Sequence, residues 1–339
     1  MANDNARMSR SFAYFKIRGI SMTITPAEQK KYGIDSISYG KLTWLYLERP
    51  SLATVDYLGK YFNFHPLNLD DILSRTQRPK IDEYEDHVFM VLHFPVFDKK
   101  TRLTRPSEVD IFIGENYIIT IHCSANLKPL SKFFKECQAD KESRQKYMGR
   151  SSGFCLYHIL DRLVNYCFPI LNKITDNIDD IEEVLFDKPS PETVHQISLL
   201  RRDLISFRRV IRPQIQVLET LEIEDYSFFK EDQDLYFGDI ADHIRKIWDS
   251  LEDNKEVIEV LAETSAWLTS NRMQEIMRIL TIVMAIISPM TLVASIYGMN
   301  VPLPGGVSPG KLLPFGILLL VMAILGATIL IKLKRRQWI

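Results

Sequence analysis

The chain has 339 residues, 46% of them hydrophobic and 25% charged, with a formal net charge of −1. This composition excludes a disordered chain, a collagen-like repeat and a strongly basic nucleic-acid binder. It leaves a membrane protein open, because the charge is unevenly spread: between Ile279 and Ile331 the one charged side chain is Lys311, and 80 of the 85 charged residues precede Ile279.

In chain order, Met1 to Arg10 is polar and has no apolar segment of the kind a cleavable signal needs. Strand-like runs follow at Phe12–Ile17, Thr43–Leu47, Val88–Val96, Val109–Ile113 and Tyr117–Ile121. The last two flank Gly114-Glu115-Asn116, which reads as a hairpin turn, and short helices are expected near Ser51–Tyr61 and Pro66–Ser74. Residues 1–150 are therefore predicted to form an α/β domain with a mixed sheet. The four cysteines show no C-x-x-C pair and no histidine at zinc-ligand spacing, so neither a disulfide framework nor a zinc site is expected.

From Ser151 the apolar spacing becomes helical. One helix is predicted over Ser152–Asp187 and a second over Pro191–Leu221, interrupted or ended near Pro213. They make a helical hairpin over residues 151–233. A third helix begins near Asp234, and Asp239–Ser288 contains no Gly or Pro. That helix is predicted to continue to Tyr297, about 88 Å from Asp239 at 1.5 Å per residue.

Ile279–Tyr297 and Leu312–Ile331 are uncharged runs of 19 and 20 residues. A membrane span needs about 20 mainly apolar residues. Arg272 and Arg278 precede the first run, and Lys332, Lys334, Arg335 and Arg336 follow the second. The bias of Lys and Arg predicts both termini inside, residues 298–311 outside and 332–339 as a basic inner tail. Two spans cannot enclose a pathway within one chain, so conduction requires an oligomer around an axis.

Gln274, Met277, Thr281, Met284, Ser288, Thr291, Ser295 and Gly298 recur at steps of three and four on the long helix, with Leu280 bordering them. Such a seam is polar where a soluble coiled coil would carry Leu and Ile. It reads either as close packing of helices through small residues or as the lining of a water-filled axis, with Met277 and Met284 as apolar constrictions. In the outer loop Gly305 to Lys311 mimics a phosphate-binding G-x-x-x-x-G-K, but Leu312 stands where Ser or Thr must hold magnesium and no strand precedes it. No nucleotide partner is expected, and transport must run down an electrochemical gradient.

Tyr297-Gly298-Met299-Asn300 at the end of the first of two C-terminal spans resembles the CorA family of magnesium transporters. The resemblance extends to His65-Pro66, Asp70-Asp71-Ile72-Leu73 and Gln77-Arg78-Pro79-Lys80. It implies an α+β fold: a mixed α/β cytoplasmic domain with long helices, two C-terminal transmembrane helices and a funnel-shaped homopentamer in the inner membrane. It further implies a selectivity filter of Gly298, Met299 and Asn300, five copies of Asn300 presenting amide oxygens to the waters of hydrated Mg²⁺. Asp71 and Asp239, with Asp70 beside them, fall where relatives bind regulatory magnesium between neighbouring cytoplasmic domains. Unlike many relatives, this chain has no acid in the outer loop, where Lys311 is the one charge.

A second acidic group, Asp176, Asp179, Asp180, Glu182 and Glu183, reads as a solvated helix face or a collector of cations. The histidines, His158 and His243 among them, form no visible constellation, and no nucleophile–base pattern points to an enzyme. The reading is passive, potential-driven import of hydrated Mg²⁺ with feedback from internal Mg²⁺ and no organic cofactor. The alternatives are a Zn²⁺ or Co²⁺/Ni²⁺ transporter, with or without proton coupling, and a non-conducting membrane-anchored sensor or scaffold. Residues 1–278 carry a net −6 and the remainder +5, an acidic body joined to a basic collar.

Overall fold

The β-branched and aromatic runs of the N-terminal part pair into one six-stranded sheet. The computed structural model describes residues 13–17, 20–24, 26–74, 77–101, 103–123, 127–187, 190–224, 226, 229, 233–299 and 312–335. A separate hairpin, β1 (Ala13–Ile17) with β2 (Ile20–Ile24), precedes helix α1 (Pro26–Tyr32). The main sheet comprises β3 (Ile34–Tyr39), β4 (Leu42–Glu48), β5 (Lys80–Glu83), β6 (His87–Asp98), β7 (Leu103–Gly114) and β8 (Tyr117–His122). Its order is β3-β4-β8-β7-β6-β5, and all neighbours are antiparallel except β4 and β8. The expected mixed sheet is present.

The parallel β4–β8 pair needs a crossover, and α2 (Leu52–Phe62) and α3 (Pro66–Leu73) lie on the path between them. Ser51 and Thr54 close a reciprocal capping box at the start of α2, and Asn63, at φ 50°, ends it in the left-handed region. Period-2 alternation gives the sheet two apolar faces. Leu45, Leu47, Phe112, Ile119 and Ile121 pack with Val55, Leu58, Phe62 and Ile72 of α2 and α3. Trp44, on the other face of β4, meets Phe133 and Phe134 of α4 (Lys128–Ala139) at ring distances of 5.3 and 5.1 Å.

After α5 (Lys141–Met148) the chain is helical: α6 (Ser152–Asn165), α7 (Cys167–Asp187), α8 (Pro191–Ile223), α9 (Gln233–Tyr297) and α10 (Leu312–Arg335). Two expectations need correction. The single helix predicted over Ser152–Asp187 is broken at Tyr166, and Pro169 falls in the first turn of α7, where its missing N–H has no helical partner to lose. Pro213 neither ends nor splits α8, because Val210, Ile211, Gln214, Val217 and Leu218 continue one buried face across it.

α8 also completes the sheet where its strands outrun their neighbours. β5 pairs β6 only as far as Val91, and two residues on the Gln214 amide takes over, accepting from the His93 N–H at 3.0 Å and donating to the His93 carbonyl. Asp203 accepts from the Thr104 N–H, and Ser206 donates to the Thr104 carbonyl.

The chain divides into two compact units, residues 1–262 and 263–339, and α9 contributes to both. In the second unit α10 approaches α9 at Gly326, which is buried against the Met290 side chain. Ile282, Ile286, the adjacent Pro289 and Met290, and Val293 are the half-buried positions of α9 between residues 281 and 297 and lie on one face. The most apolar window of α9 is long enough to cross a membrane and is otherwise uncovered by the chain.

Candidate functional site

At 3.6 residues per turn, the half-buried stripe Ile282, Ile286, Met290, Val293 and the seam Met277, Thr281, Met284, Ser288, Thr291, Ser295 lie on opposite sides of α9. The seam is therefore exposed in the single chain, with Met277 and Met284 at 53% and 61% of full accessibility. Gln274 and Leu280 are exposed with it. Thr281 donates its hydroxyl to the Met277 carbonyl at 2.7 Å and Thr291 to Ile287 at 3.0 Å. Their protons are thus spent within the helix, and their free lone pairs make both oxygens acceptors toward the seam.

The helix stops at Tyr297. The Gly298 N–H still donates to Ala294 and the Met299 N–H to Ile296. A Cβ at Gly298 would lie 3.3 Å from the Ala294 carbonyl oxygen, a close approach, and Gly298 is not in the left-handed region. Asn300, the outer loop through Lys311 and its phosphate-loop mimic lie outside the described residues.

Asp239 is exposed near the start of α9, held at that register by the buried Phe237, Ile240 and Ala241 on either side. The Tyr157 hydroxyl of α6 donates to its Oδ2 at 3.3 Å, and His243 Nε2, one turn on, is 3.9 Å from its Oδ1. Asp161, one turn beyond Tyr157 on α6, completes a group whose ligand atoms lie within 4.8 Å of one another. Burial, then repulsion from Asp239, pushes the Asp161 carboxyl up, while His243 opposes the shift. Two carboxylates and an imidazole edge at this spacing can close on one divalent ion. Neither Asp161 nor His243 stood out in the sequence. His243 at i+4 from Asp239 was the available signal, whereas Asp161 arrives through the packing of α6 beside α9.

Asp70 and Asp71 are not members of this group within the chain. Both sit in the last turn of α3, and their backbone carbonyls accept from the Ser74 N–H at 3.0 and 3.2 Å. Acids at that end of a helix face its negative pole. Asp70 is exposed, and Asp71 forms an ion pair with Lys80 at 2.8 Å. The acids Asp176, Asp179, Asp180, Glu182 and Glu183 line the exposed side of α7, opposite the buried Ile174, Ile178, Ile181 and Leu185.

The chain is similar to known proteins over most of its length. Residues 39–335 match the family described as CorA-like Mg²⁺ transporter protein. The putative metal ion transporter YfjQ of Bacillus subtilis is 33% identical over 273 residues, covering 80% of this chain and 83% of its own length. The cobalt/magnesium transport protein CorA of Thermotoga maritima is 29% identical over 288 residues, covering 84% and 80%. The solved CorA magnesium transporter of Methanocaldococcus jannaschii shares the fold at a TM-score of 0.77 and 22% identity, over 97% of this chain and 98% of that one. With a mixed sheet, a helix long enough to span a bilayer and a family match over most of its length, this chain belongs to the CorA-like Mg²⁺ transporters.

Proposed function

We propose that the chain forms a homopentameric pore that admits hydrated Mg²⁺ passively and closes when internal Mg²⁺ is high. The observation that carries this reading is the polar seam on the side of α9 turned away from α10. Five such seams around an axis give rings of acceptor oxygens from Thr281, Ser288, Thr291 and Ser295, with Met277, Met284 and the bordering Leu280 narrowing the passage and Gln274 at its inner end. Mg²⁺ dehydrates reluctantly and demands near-octahedral geometry. Acceptor rings suit it because they bind the hydrogens of its water shell. Gly298, Met299 and Asn300 would form the outer filter, with the Asn300 amide oxygens as the first ring. Two charges crossing 100 mV gain about 4.6 kcal/mol, ample drive without a nucleotide.

Both termini are placed in the cytoplasm, where the acids can meet the ion being delivered. Asp239 and Asp161, beside His243 in one chain, and Asp70 and Asp71 on α3 are the carboxylates that internal Mg²⁺ would bridge to hold neighbouring subunits together. Without the ion they repel one another. Replacing Asn300 by Ala tests the filter: in liposomes holding the purified protein, Mg²⁺ uptake driven by an inside-negative potential should fall at least tenfold, and unchanged uptake would remove Asn300 from the pathway. The rival reading is a transporter of Zn²⁺, Co²⁺ or Ni²⁺, and the acid-free outer loop, which gathers no divalent ion by charge, is neutral between the two.

A further inference from the structure

The sheet register builds a charged row beneath α3. Lys80 of β5 stands opposite Val91 of β6, which stands opposite Asp110 of β7. Residues directly opposite share a face, so the side chains of Lys80 and Asp110 point to the same side, two strands apart. Asp82 follows on that face, opposite Phe89. The Lys80 ammonium lies over the Phe89 ring at 5.3 Å and holds two carboxylates, Asp71 at 2.8 Å and Asp82 at 2.6 Å. Burial pulls its pKa down, but the hydrogen bonds it donates to Asp71 and Asp82, with their negative charges, more than offset this, and the net shift is upward. Asp110 is buried deeper. Burial, then repulsion by Glu108 and Asp71, raises its carboxyl far above the usual range and favours the neutral form. Lys80 is therefore balanced chiefly by Asp71 and Asp82.

We infer that Lys80 is a tethered competitor for the divalent cation at Asp71, so that its ammonium sets the concentration at which the internal cation binds there. This rests on the reading of Asp71 as a regulatory carboxylate. The Lys80 backbone is fixed in the sheet, but its four-carbon stem is free to turn. When a divalent ion takes Asp71, the ammonium keeps Asp82, and the exchange costs one ion pair rather than two. A positive charge also belongs at this place: Asp71 occupies the carbonyl end of α3, where an unbalanced acid is destabilising. The site thus keeps an occupant when the cation is scarce and yields it when the cation is abundant.

The test is a Mg²⁺ titration of the full-length protein in detergent, read as protection from limited proteolysis. Lys80→Met should lower the midpoint by about two- to fivefold, the order expected for a half-exposed ion pair. Lys80→Arg, which keeps the charge, should restore it. Asp82→Asn removes the competitor's other partner, binds it more firmly to Asp71 and should raise the midpoint. It also serves if Lys80→Met does not fold. A midpoint that is unchanged or higher in Lys80→Met, or lower in Asp82→Asn, overturns the inference if Asp71→Asn still raises the midpoint. If Asp71→Asn leaves it unmoved as well, the regulatory reading of Asp71 falls, and the competitor with it.

Discussion

The Tyr157 hydroxyl donates to Asp239 across 3.3 Å and brings α6 and the start of α9 together at a carboxylate that also faces Asp161 and His243. This contact steers Asp239 toward its neighbours, at the cost of setting two acids against each other. The Asp161 carboxyl is pushed up by burial and by Asp239, so the folded chain loses stability as pH rises from the ordinary carboxylate range through the raised value. Asp161→Asn should therefore stabilise the metal-free protein at neutral pH by less than about 1 kcal/mol after solvent screening. The same variant should lose part of the rise in melting temperature that Mg²⁺ gives. Thermal melts with Mg²⁺ and with a chelator measure both effects.

His243 adds a nitrogen to an otherwise oxygen-lined group, and imidazole suits Co²⁺ and Ni²⁺ better than Mg²⁺. His243→Gln should therefore weaken Co²⁺-dependent protection from proteolysis several-fold more than Mg²⁺-dependent protection. Equal losses for the two ions would remove the imidazole from the coordination.

Gln214 and Asp203 serve backbone groups on strands whose sheet neighbours have ended. Gln214→Ala leaves the His93 N–H and carbonyl buried without these partners, and Asp203→Ala does the same to the Thr104 N–H. Each unsatisfied group costs about 1–3 kcal/mol, so both variants should be clearly destabilised in urea unfolding, Gln214→Ala the more.

His158 sits among Tyr147, Phe154 and Tyr157, and its pKa is lowered to about 4 by burial and by Arg162, Lys146 and Arg150. Unfolding returns it to about 6.5, so the unfolded chain binds the extra proton. Its contribution to stability is complete above about pH 6.5 and is lost as pH falls toward about 4. His158→Gln should flatten that limb of the stability–pH curve while leaving stability at pH 8 less affected.

Gly326 admits the Met290 side chain. Met290 is flexible, so Gly326→Ala should be tolerated by a shift of its terminal methyl, whereas Gly326→Leu should force α10 off α9. Cross-linking of cysteines placed at 286 and 329, half-buried positions one turn away on the two helices, would fall in the Leu variant and persist in the Ala variant.

Much of the fold was legible because burial and periodicity coincide. β4, β6, β8 and the second half of β7 carry mainly apolar runs, and the seam of α9 was visible from its steps of three and four. β5 was not, since Lys-Ile-Asp-Glu has a single apolar residue and exists as a strand through its pairing with β6. The break at Tyr166 had a local sign in Pro169, while the same sign at Pro213 misled, because tertiary packing of the α8 face outweighed one missing hydrogen bond. The Asp161–Asp239 and Asp71–Lys80 contacts depend on helix packing and sheet register, neither of which is written in local spacing.

Ion flux in liposomes shows whether Mg²⁺ itself passes without an energy source beyond its gradient. The purified protein is reconstituted, and Mg²⁺ or Zn²⁺ is supplied outside under either an inside-negative potential or a proton gradient, without nucleotide. Mg²⁺ entry should follow the potential, need no proton gradient and decline as internal Mg²⁺ rises. Zn²⁺ entry that requires the proton gradient, with no Mg²⁺ entry under any potential, would contradict passive passage of Mg²⁺.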